Sequence, residues 1–404
     1  MKSKNQYEEL GIDPDKQSVR EIFEKIIDNE YKGAFVNIVT DPFCANRVVV
    51  QHQDGDGSKL LQRLLHYHET GDPTVFRGMV DDALSMNTGD IAACGFVFLP
   101  WLVTDVLNVN FPKELKNIIM KEVAIRLAEL KKLYADHGIR IILLGGETAD
   151  LPDQVRSGVF DIAITAYADK KDLIVGNTQE GDVIYGIPSN GQAAWEDEPN
   201  SGMMSNGLTG SRSCLMSAEY NIKYPALKRD GNFFKGSWLY NDPLVLEGSS
   251  DRTIFKTTVG DALISPTRQW ALVIREIMNS LKEIKALPML HGISMNTGGG
   301  ATKIKNVGPG GILYVKNMMP EVPRLFQLIQ SDSREDWGNM YKNFNCGIGL
   351  DIVGENNPVF QNALKKAVNK CNLPLHRLGH CERFSETEKH NAVEITSSYG
   401  EWKY

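Results

Sequence analysis

The sequence has no apolar run long enough to cross a bilayer, which argues against a helical membrane protein. It also lacks a basic excess: 44 Lys and Arg stand against 51 Asp and Glu, for a formal net charge of −7. That balance argues against a nucleic-acid or membrane-surface role, since both require surplus positive charge. Cysteine is sparse. Cys44, Cys94, Cys214, Cys346, Cys371 and Cys381 are scattered and form no CxxC pair. A disulfide framework or zinc ribbon is therefore not expected, and reduced thiols in a cytoplasmic protein fit the pattern. Met1 to Asp13 is polar and acidic, with no mark of a signal or transit peptide. The phosphate-loop pattern GxxxxGK[ST] is missing, and no GxGxxG follows a strand, so the common P-loop and dinucleotide folds fail. Short-period repeats and low-complexity tracts are absent as well.

What is present is an ordinary globular composition, 42% hydrophobic and 24% charged, over 404 residues. That length suggests two or three domains. Ile22, Phe23, Ile26 and Ile27 recur at helical spacing and predict a helix from Val19 to Tyr31, capped by Ser18. A valine-rich strand, Arg47 to His52, runs into the loop Gln53 to Lys59, and a helix follows from Leu60 to Glu69. Phe111 to His137 carries a long apolar stripe and stops at Gly138. Ile139 to Leu144 reads as a buried strand that ends abruptly in Gly145 to Asp150, and Val159 to Tyr167 reads as a half-buried strand. The polar stretch Asp169 to Glu180 marks a boundary, giving domains 1–174 and 175–404. The second half offers a strand at Asp182 to Ile187, a polar insertion at Gln192 to Met204 and a helix at Trp270 to Ile284. A helix at Val322 to Gln330 and a strand at Gly347 to Val353 close the core, and the last helix is at Val359 to Asn372. Strands and helices mix in both halves, so the fold class is α/β or α+β.

Three acids stand out. Asp54 lies in the glycine-rich loop QDGDGSK together with Asp56, and Glu147 lies just after the strand ending at Leu144. Asp90 lies in DALSMNTGDIAACG, between Asp82 and Gly95. Ends of core strands are where α/β proteins gather ligand-binding groups. Three carboxylates meeting in one cleft repel unless a cation joins them, and Mg2+ with phosphate oxygens is the natural partner. Each acid alone reads as a solvated loop acid or a helix cap; the coincidence of the two strand-end motifs tips the reading toward function. The backbone of Gly55 to Lys59 is suited to an anion, and the glycines of Thr297 to Gly300 permit close approach to a phosphate, although glycine clusters taken alone are more often turns than phosphate sites. His66 and His68 read as surface residues. His376, His380 and Cys381 lack a fourth metal ligand at suitable spacing. For His291, a catalytic role and a core or capping role stay equally open.

The segments QDGDGSK, DALSMNTGDIAACG, GGETADLPD, GDVIYGIPSNG, MSNGLTGSR, SPTRQW, TGGG and MYKNFNCGIGL run in this order from Gln53 to Leu350. Together they resemble the aminoimidazole ribonucleotide synthetase superfamily. SPTR and MYKNFNCGIG favour the cyclo-ligase family, which converts formylglycinamidine ribonucleotide to aminoimidazole ribonucleotide. The resemblance implies a two-domain chain, with an N-terminal sheet that forms a barrel in a homodimer and a C-terminal α/β domain. It implies ATP, Mg2+ and a ribonucleotide substrate. By the same resemblance, Asp54, Asp90 and Glu147 would hold Mg2+ and phosphates, and Lys59 would offset phosphate charge. Gly55, Gly57, Ser58, Gly145, Gly146 and Thr148 would flank the nucleotide phosphates. Ser205, Asn206, Gly207, Thr297, Gly298, Gly299 and Gly300 would line the ribonucleotide side. Arg268 is open between a substrate phosphate and a structural ion pair.

The chain departs from the family pattern at Met204 and Met295, where histidine is usual, at Asp56, and in the long insertion near Trp195 to Ser201. Methionine cannot move a proton, so any acid–base role at those two positions must lie elsewhere. Rival readings are a thiamine-monophosphate kinase or selenophosphate synthetase type of enzyme, or a nucleotide-binding protein without catalysis. Cys44 sits in DPFCAN rather than in a glycine-rich segment, which counts against the selenophosphate type.

Overall fold

Phe160, Ile162, Ile164, Ala166 and Ala168 are all buried, while the residues between them are not. That period of two makes Gly158–Asp169 the middle strand of a sheet with one covered face. The structure is a computed structural model, and it describes residues 22–23, 25–227, 233–248, 254–384 and 390–404. The first sheet comprises β1 (Val39–Thr40), β2 (Arg47–Gly55), β3 (Trp101–Val109), β4 (Ile141–Asp150) and β5 (Gly158–Asp169), in the order β1-β2-β5-β3-β4. β5 pairs antiparallel with β2 and β3, while β3 and β4 run parallel. Three helices accompany it: α1 (Lys59–Thr70), α2 (Arg77–Ala92) and α3 (Lys113–Asp136), the last being the crossover between β3 and β4. Within one chain the sheet is open.

The second half begins with β6 (Val183–Pro188), β7 (Asn190–Gly191), β8 (Asn200–Ser201), α4 (Leu208–Leu215), α5 (Tyr220–Lys223), β9 (Pro243–Glu247) and β10 (Ile254–Thr258). It continues with α6 (Val259–Ile264), α7 (Trp270–Glu283), β11 (Leu290–Met295), β12 (Ile312–Lys316), α8 (Arg324–Ser333) and α9 (Trp337–Asn343). It ends with β13 (Ile348–Gly354), α10 (Pro358–Lys370), β14 (His376–Arg383), β15 (Ala392–Ser397) and β16 (Gly400–Lys403). Seven of these strands form one sheet in the order β11-β13-β6-β14-β12-β15-β16. All six residues of β6 and of β11 are buried, as expected of strands covered on both faces. Helix α2 is buried from Met79 to Ala92, between the first sheet and α7. Among the described residues, no helix is long and apolar enough to cross a membrane.

Several expectations change. The strand from Arg47 continues through Gly55, so Asp54 is a strand residue. β4 runs on through Asp150, so GGETAD lies inside a strand rather than after one. A register shift between Val103 and Asp105 and a φ of +103° at Gly145 accommodate that continuation. β3 was not legible because Asp105 interrupts its buried set of Trp101, Val103, Leu107 and Val109. α10 is the last helix, as expected, but the strand at Gly347 to Val353 does not close the core, since β14 inserts between β6 and β12. Ser18 and residues 19–21 of the expected first helix lie outside the described residues. From Lys25 the chain is turn and coil, and Ile22, Phe23, Ile26 and Ile27 are exposed. His68 is exposed, but His66 is half-buried against the hydroxyl of Tyr240.

Candidate functional site

Alternation along β2 turns His52 and Asp54 to the side covered by α2. On α2, Asn87 and Asp90 are three residues apart and share a face. Asn87 Nδ2 donates to the backbone oxygens of Asp54 and Ala83, both at 2.9 Å. Its Oδ1 accepts from His52 Nδ1 at 2.9 Å. His52 Nε2 then stands 3.6 Å from Asp90 Oδ2. Burial raises the Asp90 carboxyl above its ordinary pKa; Lys303 and His52 oppose that shift, and the nearby charge of Asp54 adds to it. Burial and Asp54 likewise raise Asp161. These acids therefore feel one another's charge.

The opposite wall comes from the second half. Lys303 Nζ lies 3.6 Å from the same Asp90 Oδ2 and donates to Thr297 Oγ1. Thr297 opens the glycine turn after β11, where Gly299 and Gly300 have φ of +94° and +54°. A Cβ at Gly300 would stand 2.4 Å from Phe344 O, so only glycine fits there. Asn206 lies beside Gly298, and Ser205 lies beside Gly57. Ser58 Oγ meets Thr209 Oγ1 at 2.8 Å. The structure thus gathers Asp54, Gly55, Gly57, Ser58 and Asp90 with Ser205, Asn206, Gly207 and the turn Thr297 to Gly300. Asp90 Oδ1, Ser205 Oγ and Asn206 Nδ2 are buried without hydrogen-bond partners. Unsatisfied polar atoms in such a place point to a ligand.

Other expected residues lie elsewhere. Glu147 registers with Val106, which registers with Asp161, which registers with Gly55. Three strand spacings put it about 14 Å from β2. Asp54 belongs to the adjacent row with Ile162, Asp105 and Gly146, so alternation turns Glu147 to the opposite face. The expected triad is therefore corrected: within one chain Asp54 and Asp90 are neighbours, and Glu147 is apart. Gly145, Gly146 and Thr148 stay with Glu147 on β4. Among the described residues, no three metal-ligating side chains converge. Asp54 and Asp90 nevertheless fit Mg2+, which needs only a few carboxylates besides phosphate and water, and the orphaned Asp90 Oδ1 offers a ligand atom.

Lys59 does not face a phosphate. It is fully buried, and its ammonium donates to Asp82 Oδ1 at 2.9 Å, Met203 O at 3.2 Å and Ser265 O at 2.6 Å. His291 sits at the start of β11, four residues before Met295 and about 13 Å along the strand. Its Nδ1 bonds Asp182 Oδ2 at 2.8 Å, and that bond raises its pKa. Arg268 proves to be the ion pair: it grips Glu196 with Nε at 2.8 Å and Nη2 at 2.9 Å. It also donates to Pro188 O and Gly191 O, both at 2.8 Å, which ties down the insertion. Met204 and Met295 are buried packing residues, and Met295 Sδ fills the space over Gly89. Sequence reading missed His52, Asn87 and Lys303; Asp161, in the row of Glu147, lies on the other face. The spacing of His52 to Asp54 along a strand, and of Asn87 to Asp90 along a helix, was the available signal.

No family model matches the chain. It is 27% identical over 308 residues to the phosphoribosylformylglycinamidine cyclo-ligase of Methanosarcina mazei, covering 74% of this chain and 72% of the relative. It is 28% identical over 367 residues to the cyclo-ligase of Methanobrevibacter smithii, covering 87% and 88%. A third cyclo-ligase, from Desulfitobacterium hafniense, is 28% identical over 332 residues, covering 80% and 79%. In fold the chain is similar to one in the crystal structure of the HypE–HypF complex, with a TM-score of 0.50, 14% identity and coverage of 96% and 98%. It is also similar to T. maritima PurL complexed with FGAR, with a TM-score of 0.51, 10% identity and coverage of 98% and 54%. The resemblance read from the motifs thus extends to similarity over most of the chain.

Proposed function

We propose, taking that similarity to the cyclo-ligases as premise, that the chain is an ATP-dependent enzyme that closes the imidazole ring of aminoimidazole ribonucleotide. Its substrate is formylglycinamidine ribonucleotide. The observation that carries the reading is the similarity over 74–87% of the chain to enzymes bearing that name. An amide oxygen is a poor leaving group and phosphate is a good one. ATP phosphorylates the amide oxygen to an imidoyl phosphate, and an internal nitrogen displaces phosphate to close the ring, with ADP released. The protein's task is to neutralise the triphosphate and to hold nitrogen and carbon within reach. Asp54 and Asp90 would hold Mg2+, which supplies charge neutralisation when bound. The Ser205–Gly207 and Thr297–Gly300 turns would hold the ribonucleotide.

The same reading takes the chain as a cytoplasmic homodimer joined through its first sheets. Support comes from exposed apolar residues there, among them Leu144 at 61% and Val159 at 42%. Glu147 is exposed on β4, so any contribution it makes would come from across that seam.

The test is purified protein given ATP, Mg2+ and formylglycinamidine ribonucleotide. The expected result is an aromatic aminoimidazole with one ADP per ring closed. ATP binding without ADP release would replace this reading with a nucleotide-binding protein, and ADP without the aromatic product would assign a different phosphoryl acceptor.

A further inference from the structure

We propose that Lys303 is the cation that binds a ligand phosphate in this site, the part sequence reading gave to Lys59. The proposal rests on the ATP-dependent reading above. Lys59 has no donor to offer: it is fully buried, with one carboxylate and two carbonyl partners. Lys303 reaches the acidic wall from the opposite side. Its one short hydrogen bond goes to Thr297 Oγ1. Its 3.6 Å separation from Asp90 exceeds the 2.7–2.9 Å of a charge-assisted bond. An ammonium has three donors, so this cation is held in place without being saturated. It is also held by stacking 4.6 Å from the ring centre of Phe35.

The groups around it match a phosphate. Asn206 Nδ2 and Ser205 Oγ are buried and unpartnered. Gly298 adjoins Asn206, where a Cβ would make ordinary contact with Oδ1 at 3.4 Å. A phosphate beside Asp90 meets like charge, and Lys303 stands 3.6 Å from that carboxylate, where it can screen the two. The phosphate belongs either to ATP or to the ribose of the substrate.

Calorimetric titration in buffer containing Mg2+ separates these sources, with ATP in one arm and the ribonucleotide in the other. Lys303→Met should raise Kd about tenfold or more for the ligand whose phosphate it holds. The other ligand should bind as before, so a loss confined to one arm names the source. Lys303→Arg should restore most of the loss, and both variants should keep a cooperative thermal melt. Loss in both arms that arginine restores also assigns the charge to Lys303. Wild-type binding of both ligands by Lys303→Met overturns the proposal, as does loss that arginine fails to restore. If the wild-type protein binds neither ligand, the ATP-dependent reading falls and takes this proposal with it.

Discussion

Asn87 fixes which nitrogen of His52 carries its proton. The Asn87 amide donates to the carbonyls of Asp54 and Ala83, which leaves only its oxygen to face His52 Nδ1. Nδ1 must therefore donate, and a neutral His52 turns the lone pair of Nε2 toward Asp90. Replacing Asn87 with Leu removes a donor from the buried Ala83 carbonyl and the half-buried Asp54 carbonyl, and an acceptor from the imidazole. The expected loss is about 1–3 kcal/mol of stability, read from urea unfolding. An unchanged unfolding midpoint would remove Asn87 from this role.

Asp90 separates function from stability. Asp90→Asn removes a buried charge whose pKa is raised, so the protein should melt at the same temperature or higher. ADP formation should drop by about a hundredfold or more, as for loss of a metal-binding or charge-stabilising group. Retained turnover would exclude Asp90 from the mechanism.

Asp56 makes stability depend on pH. It is fully buried, neither carboxylate oxygen has a hydrogen-bond partner, and burial raises its pKa well above the usual carboxylate range. A raised folded-state pKa means that the native protein holds the proton more tightly than the unfolded chain. The associated stability is fully present below the unfolded pKa of about 3.9 and declines as pH rises toward the folded value. Asp56→Asn should therefore stabilise the protein by about 1–3 kcal/mol near neutrality. The gain should shrink toward pH 4 in a series of thermal melts. A gain independent of pH would contradict the assignment.

Lys59→Met tests the corrected role of that lysine. Asp82 lies in a buried network with Lys59, Arg63 and Thr267. Breaking a buried pair costs about 3–5 kcal/mol. Denaturant titration should show that loss, while ATP affinity of the folded fraction should hold. Weaker ATP binding without destabilisation would reinstate Lys59 as a phosphate ligand.

The long helices and apolar strands were legible because their burial repeats at helical or strand spacing, as in Trp270–Glu283 and Gly158–Asp169. The glycine motifs were legible as well, and the structure brings the Gly55–Ser58, Ser205–Gly207 and Thr297–Gly300 segments together. What sequence could not convey was facing. Glu147 lies one residue along β4 from Gly146, which registers with Asp105 in the row of Asp54, and that single step turns it to the other side. Lys59 and Arg268 look like phosphate ligands by residue type, but their partners Asp82 and Glu196 come from 23 and 72 residues away. Pairings at that range depend on tertiary packing.

The burial of α2 has a consequence for motion. Asp90 stands on a helix enclosed between a sheet and a second helix, so its backbone amide should exchange with solvent only when the whole protein unfolds. This side of the site is then a fixed anvil. Any closing over a bound ligand must come from the glycine turns that face it.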